Sequence, residues 1–289
     1  MAERQVVFYK CQDIPKAPGF DRVKAAKPLA ALPDAKWRVT DADGMEMAVL
    51  VERAGGPSST TRLAFLRIRQ DQLHLLASRQ LTLWQPPAGN EFSEVTYATI
   101  WSDGFMGAIT NRDAPSHKKL SYYFEKTSGQ QTSIVSLFNP DVIARLKELR
   151  KHGLRTVSVK VQASKIAQVE QDRQTTGFSQ LWNAGRGTDA ATIGIELGVG
   201  RKQKARLDDG LAAEAEEIAQ ASDLLETMSI RGRDKKGNIE TINMKNERVR
   251  ATADIPPGAS TGAIFRHLEA ARSTAESRHG PLSKASLGT

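Results

Sequence analysis

The residues of this chain best suited to chemistry are clustered cations, and the chemistry they suit is anion binding. The stretch SIRGRDKKGNIETINM places Arg231 and Arg233 two residues apart, followed by Lys235 and Lys236. Residues two apart in a strand share one face, so we expect both arginines on one side, with Gly232 between them leaving that side open. Guanidinium groups fork onto phosphate oxygens. The stretch predicts either a phosphate-binding ribbon or the solvated face of a half-buried sheet.

Further basic clusters recur along the chain. The run RKQKAR contains Arg201, Lys202 and Lys204, and the strand-like LRTVSVKV contributes Arg155 and Lys160 as weaker candidates. A net charge of +8 permits binding to nucleic acid or to an anionic membrane. Since the positive excess is spread along the sequence, any binding surface must be assembled by folding.

Enzyme chemistry finds no support in the sequence. GIELGVGR lacks the spacing of a phosphate loop, and its glycines suit a strand that bends or packs closely. Cys11 is the single cysteine, and the five histidines are scattered. We therefore expect no catalytic site, no metal, no cofactor and no small-molecule substrate. The low aromatic content of 6% argues against binding single strands by base stacking.

The elements expected to position the cations alternate between strands and helices. MEMAVLVERA with TTRLAFLRIRQ, and EVTYATIW with FMGAITNR, have the pattern of hairpins. A strand–helix–strand unit follows, in which Asn139 caps a helix with Pro140 at its first position and Gly153 at its end. LDDGLAAEAEEIAQASDLLETM predicts one helix with Leu225 and Met228 on its apolar face. The cationic ribbon is expected to be a three-strand meander whose third strand runs from Arg248.

The chain divides into two predicted domains. Residues 1–164 and 191–279 each have an α+β pattern, residues 165–190 have the polarity of a linker, and residues 280–289 that of a disordered tail. No window reaches the roughly 18 to 20 apolar residues of a membrane-spanning helix. The charged start MAERQVVFYK is unlike a signal peptide, so we expect a cytoplasmic protein.

Four stretches resemble the RexA family of lambda-type phage exclusion proteins. SIRGRDKKGNIE is similar to the strand–turn–strand of that family, and LRTVSVKV to its R-T-x-V-x-V strand. GFMGAITNRDAPSHKKLSYYF resembles its glycine-led strand, Pro-containing turn and short helix. RKQKAR resembles its Lys/Arg-rich run before the helix of the second domain.

The resemblance implies a fold, a function and partners. The fold would be a two-domain α+β subunit with antiparallel or mixed sheets and packed helices, related to RdgC and assembled as a homodimer. The function would be sequence-nonspecific binding of double-stranded DNA in phage exclusion, with a RexB-like membrane channel as a possible partner. By position, Arg231 and Arg233 are the first candidates for DNA contact. An alternative from the charge pattern is an interaction protein whose basic faces dock an acidic protein or an anionic membrane.

Overall fold

The chain has an α+β fold with five α-helices, two larger sheets and a separate two-stranded antiparallel sheet in its described residues. The structure is a computed structural model. It describes residues 2–14, 17–31, 37–42, 44–56, 58–69, 73–77, 80–84, 92–111, 114–162, 192–200, 205–220 and 225–287. Two compact units result: the first comprises Met1–Ile134 with Arg250–Glu276, and the second Val135–Val249 with Ser277–Thr289.

Strands and helices are numbered in chain order. The strands are β1 Ala2–Gln12, β2 Arg38–Thr40, β3 Glu46–Arg53, β4 Thr61–Arg69, β5 Leu73–Ala77, β6 Gln80–Trp84, β7 Phe92–Ile100, β8 Phe105–Thr110, β9 Ser133–Phe138, β10 Leu154–Gln162, β11 Thr192–Gly198, β12 Leu225–Arg233, β13 Ile239–Asn243, β14 Arg250–Ile255 and β15 Ser286–Leu287. The helices are α1 Arg22–Leu29, α2 His117–Ser128, α3 Val142–His152, α4 Asp209–Gln220 and α5 Thr261–His279.

The first unit is a sheet with helices on both faces. Its strands run in the order β1-β8-β7-β4-β3-β2, and β14 also pairs with β1. The predicted hairpins β3–β4 and β7–β8 are confirmed as antiparallel pairs. Side chains of α1 and α2 are buried with one face of this sheet. On the other face, Phe265 of α5 packs edge-on against Tyr97.

The second unit is a four-stranded antiparallel sheet with helices on one face. The strand order is β11-β10-β12-β13, with β10 and β12 in the interior. Val157, Val159 and Val161 of β10 are buried, as the alternation in LRTVSVKV predicts. They share a core with Ile230 of β12 and with the apolar stripes of α3 and α4. This packing leaves the opposite face of the sheet to mostly polar side chains, with Ile239, opposite Arg233 and 43% exposed, as an apolar exception.

Helix α3 packs into the core of the second unit, and its C-terminal end lies against the end of β12. Val142, Leu146 and Leu149 form its buried stripe. The helix ends at Gly153, whose φ of 113° is one that other residues rarely adopt. The predicted cap is wrong in detail, because the helix begins at Val142 after Asp141, not at Pro140.

Several predictions fail where pairing between distant segments decides the structure. The expected third strand of the meander, β14, pairs with β1 and leaves β12–β13 as a two-stranded hairpin. The predicted helix over residues 207–228 is α4 only, and Leu225 and Met228 belong to β12. Helix α1 (Arg22–Leu29) was not among the predicted elements.

The compact units also differ from the predicted domains. Strand β10, expected in domain 1–164, pairs with β11 and β12 in the second unit. Strand β14, expected in domain 191–279, belongs to the first unit. The predicted linker, 165–190, lies outside the described residues. In the predicted disordered tail, 280–289, Leu282 is buried and Ser286–Leu287 pair with β9.

None of the helices in the part of the chain that the structure describes is long and apolar enough to cross a membrane.

Candidate nucleic-acid interface

The polar side of the second-unit sheet, opposite α3 and α4, is the candidate interface, and we call it the open face. The strand register lines up Gly198, Thr156, Arg231 and Thr241 in one row, and Glu196, Ser158, Ser229 and Asn243 in the next. A third row contains Gly194, Lys160 and Thr227. All of these residues are exposed or half-exposed. Small hydroxyl and amide side chains therefore surround the two cations Arg231 and Lys160.

Arg231 is one of three exposed cations of the predicted ribbon, with Lys235 and Lys236. It is exposed on the interior strand β12, between Thr156 on β10 and Thr241 on β13. No hydrogen bond or ion pair joins its side chain to any other described residue. Short neighbours on both sides leave its guanidinium accessible from the open face.

Arg233 shares the face with Arg231, but its side chain is engaged. Its Nη1 donates to the carbonyl of Gly237 at 2.8 Å and so braces the β12–β13 turn. The alternation of buried Ile230 and Gly232 with exposed Arg231 and half-exposed Arg233 is the one that a strand requires. Arg233 therefore supports the turn in addition to any role in binding.

Lys235 and Lys236 lie at the tip of the same turn and are both exposed. Asp234 organises this turn, since it accepts from the backbone N–H groups of Lys236 and Asn238, both at 2.8 Å. Desolvation opposes the charged form of Asp234, but the donors from Asn238 and Lys236 outweigh it and lower the pKa of the carboxyl. The carboxylate is thus occupied by its own turn.

Gly232 has a different role from the predicted one. It lies on the helix-covered face, where an added Cβ would come within 3.2 Å of the Gly153 carbonyl oxygen and of Leu149 Cβ. A glycine suits this position because the end of α3 crosses the strand closely. It contributes no open space beside the arginines, so that expectation is wrong.

The weaker candidates on β10 occupy two different positions. Arg155 lies at a β-bulge between Leu154 and Thr156, and its Nη2 donates to the carbonyl of Gly200 at 3.1 Å. Lys160 is exposed in the third row of the open face. Strand spacing and rise separate the Cα atoms of Lys160 and Arg231 by about 14 Å. The two cations are on one face without being neighbours.

Glu196 is the one carboxylate among the described residues of the open face. It is exposed on β11 opposite Ser158, about 12 Å from Arg231 by strand spacing and rise. Gly194 and Gly198 flank it, and no atom lies within 4 Å of where a Cβ on Gly194 would be. The glycines of GIELGVGR therefore leave the β11 side open, and close packing, one of the two predicted reasons for them, is not found at Gly194 or Gly198.

A buried-side ion-pair network holds the hairpin that carries Arg231. Arg145 of α3 donates to Glu240 of β13 at 2.7 Å and to Glu247 at 3.1 Å. Desolvation opposes the charge of Arg145, but the hydrogen bonds and charges of the two glutamates outweigh it and raise the pKa of the guanidinium. Asn139 adds a hydrogen bond from Nδ2 to Glu247 at 3.2 Å. The network fixes β13 against α3.

Not all predicted residues can be placed, and the sequence missed others. Arg201, Lys202 and Lys204 lie outside the described residues. Lys151 and Arg206 were not predicted as contacts, although both are exposed and their segments meet the end of β12 at Gly153. The basic runs that contain them, KELRKHGLR and RKQKAR, could have indicated both residues as candidates. Only the fold shows that the two segments meet.

The described residues offer little other chemistry. They contain no group of three or more His, Cys, Asp or Glu side chains able to hold a metal ion. Burial raises the pKa of the Cys11 thiol to about 12, despite the nearby charge of Lys10, so this thiol is inert near neutral pH.

Comparison with known proteins gives no family for this chain. No protein-family model matches it, and no curated protein is similar enough in sequence to count as a relative.

Proposed function

We propose that the second unit binds the phosphate backbone of double-stranded DNA without sequence preference, through its open face. One observation carries the proposal: Arg231 is exposed on an interior strand and has no partner among the described residues. Small hydroxyl and amide side chains surround it, and these also donate to phosphate oxygens. The surface offers donors and positive charge with little steric obstruction.

The contrast with other arginines supports a binding role for Arg231. Arg62 is paired with Glu269, Arg145 with Glu240, and Arg272 with Asp103. Those three arginines connect elements of the fold. Arg231 connects none of the described elements, so its charge is available to an external anion.

The composition of the open face favours duplex over single-stranded nucleic acid. None of its described residues is aromatic, so the face has no platform on which unpaired bases could stack. Arg233, the second arginine of the face, is engaged with the Gly237 carbonyl, and Asn243 is short, so the face offers little that could read base edges in a groove. Contacts limited to phosphate fix position on DNA without reading sequence.

The resemblance to the RexA family supplies the biological part of the proposal. The protein would act without enzymatic activity in phage exclusion, as a homodimer in the cytoplasm, and a RexB-like membrane channel would be its partner. The DNA-binding role stands on the open face and does not depend on these additions.

A fluorescence-anisotropy titration with two unrelated duplexes and one single strand tests the function. We expect equal affinity for both duplexes, weaker binding of the single strand, and a steep linear fall of log K with log salt between about 50 and 200 mM. Absence of duplex binding at low salt would contradict the proposal. Saturable binding only to an acidic protein or to anionic vesicles would assign the basic surface to that alternative partner.

A further inference from the structure

Three basic segments that are far apart in the sequence meet at one end of the second unit, around Gly153. They are the last turn of α3, the residues that precede α4, and the β12–β13 turn. We call their exposed cations the basic end: Arg150, Lys151, Arg206, Lys235 and Lys236.

Backbone contacts at Gly153 bring the segments together. The carbonyl of Gly153 accepts from the N–H of Arg233 at 3.2 Å, which joins the end of α3 to the end of β12. The N–H of Leu207 donates to the carbonyl of Leu154 at 2.7 Å. An added Cβ on Gly153 would lie 3.1 Å from Cβ of Arg206. The position of every segment is thus fixed by main-chain packing and not by the cations themselves.

Positive charge at the basic end is only partly compensated. Lys151, Lys235 and Lys236 form no ion pair with another described residue. Arg206 reaches Asp209 only at 4.0 Å, and both side chains are more than half exposed. Such an exposed pair contributes little stability. Part of the positive charge at the end of α3 is explained by the helix dipole, but the dipole does not account for Arg206 or the turn lysines.

The basic end is continuous with the row of the open face that contains Gly198, Thr156, Arg231 and Thr241, which we call the arginine row. Arg231 precedes Arg233 by two residues on β12, and the turn lysines follow after Asp234, whose carboxylate accepts from backbone N–H groups of the turn. Glu196 lies on the opposite side of that row, on β11. The electrostatic gradient across the open face therefore runs from Glu196 toward the basic end, which favours a polyanion at that end.

We infer that the basic end is a second phosphate-contact surface, so that duplex DNA lies over the arginine row and the end of α3, not over the middle of the sheet. This inference rests on the proposed function and adds Lys151 and Arg206 to the contacts. Duplex DNA fits this surface because its phosphates are spread along a straight double helix. The cations of the three segments continue the positive charge past the edge of the flat sheet, where such a helix would extend.

The test is a pair of double substitutions with equal change in charge. Lys151→Gln with Arg206→Gln removes one lysine at a helix end and one arginine from the basic end. Lys27→Gln with Arg266→Gln removes the same types from exposed positions in the first unit, where Lys27 also lies in the last turn of a helix. Glutamine removes the charge and retains a polar end and part of the apolar stem of each side chain, and thermal melts establish that both variants fold.

The expected result is a loss of about two units of salt slope and about thirtyfold in affinity near 0.15 M salt for the basic-end variant. The first-unit variant should change affinity less than threefold. Equal, small changes in the two variants, with wild-type protein still binding duplex, would overturn the inference and leave the proposed function standing. Failure of the wild-type protein to bind duplex would overturn both.

Discussion

The backbone N–H of Arg233 donates a hydrogen bond to the carbonyl oxygen of Gly153 at 3.2 Å. This bond joins the end of β12 to the end of α3, and the two bonded residues are 80 positions apart in the chain. It satisfies a carbonyl that a helix end leaves without an intrahelical partner. It also determines where the cations of the hairpin and of the helix meet. The candidate interface therefore depends on a close main-chain contact.

Gly232 should be sensitive to substitution because of this contact. Gly232→Ala would place a Cβ within 3.2 Å of the Gly153 carbonyl oxygen, and main-chain atoms at a helix end cannot easily move away. We expect a loss of about 1 to 3 kcal/mol in the free energy of unfolding. Urea denaturation measures this change.

Gly194→Ala is the matched control for that substitution. Gly194 is also in a strand of the same sheet, but no atom lies within 4 Å of its added Cβ. Removal of glycine from a strand should leave stability unchanged or raise it by about 0.5 kcal/mol. Equal effects at the two positions would show that α3 does not pack against Gly232 as described.

Arg145 is expected to hold the hairpin in place. Arg145→Gln removes the cation that pairs with both Glu240 and Glu247. The two half-buried carboxylates then lose their shared partner and repel each other. We predict a loss of about 1 to 2 kcal/mol in unfolding free energy. Lys147→Gln, at an exposed position on the same helix, should change stability by less than about 0.5 kcal/mol. A neutral Arg145 variant would contradict the structural role of this network.

Glu196 should weaken DNA binding in the native protein. Glu196→Gln removes the carboxylate of the open face without changing the shape of the side chain. Residue 196 lies about one Debye length from Arg231. We predict duplex affinity two- to threefold higher at low salt, with the difference vanishing as salt rises. Glu3→Gln, an exposed change of equal charge in the first unit, provides the comparison. Weaker binding by the Glu196 variant would indicate that DNA lies elsewhere.

Asp103 should make stability depend on pH in the acid range. Desolvation opposes its charge, but hydrogen bonds from Arg272 and the Phe105 N–H outweigh it and lower the pKa of the carboxyl below its ordinary 3.8. A carboxyl with a lowered folded-state pKa stabilises the fold above its unfolded pKa and loses that contribution as pH falls through the folded pKa.

The wild-type protein should therefore lose more unfolding free energy below about pH 4 than Asp103→Asn does. Parallel denaturant titrations across that range measure the difference. Identical pH profiles would mean that Arg272 and Asp103 do not interact in solution.

Local patterns predicted much of the fold and part of the interface. Alternation placed Val157 and Val159 inward and Arg231 outward, because a strand has a fixed period of two residues. Helical spacing misassigned Leu225 and Met228, since apolar residues at that spacing also suit a buried strand after a short break. The sequence alone could not decide between a continued helix and a new strand at Leu225 and Met228.

Long-range pairing accounts for what was missed. Nothing local in ATADI indicates that β14 pairs with β1 at the other end of the chain, so the meander was predicted with one strand too many. The meeting of Lys151 and Arg206 near Arg233 depends on main-chain contacts at Gly153. The cations were visible in the sequence, but their common location was not.

The most direct test of the central claim is the salt dependence of duplex binding by Arg231→Gln. We predict that the slope of log K against log salt falls by about one unit relative to wild type, equally for unrelated duplexes. Arg266→Gln, an exposed arginine of the first unit, should retain the wild-type slope. An unchanged slope for Arg231→Gln would contradict the account, because Arg231 would then contact no phosphate.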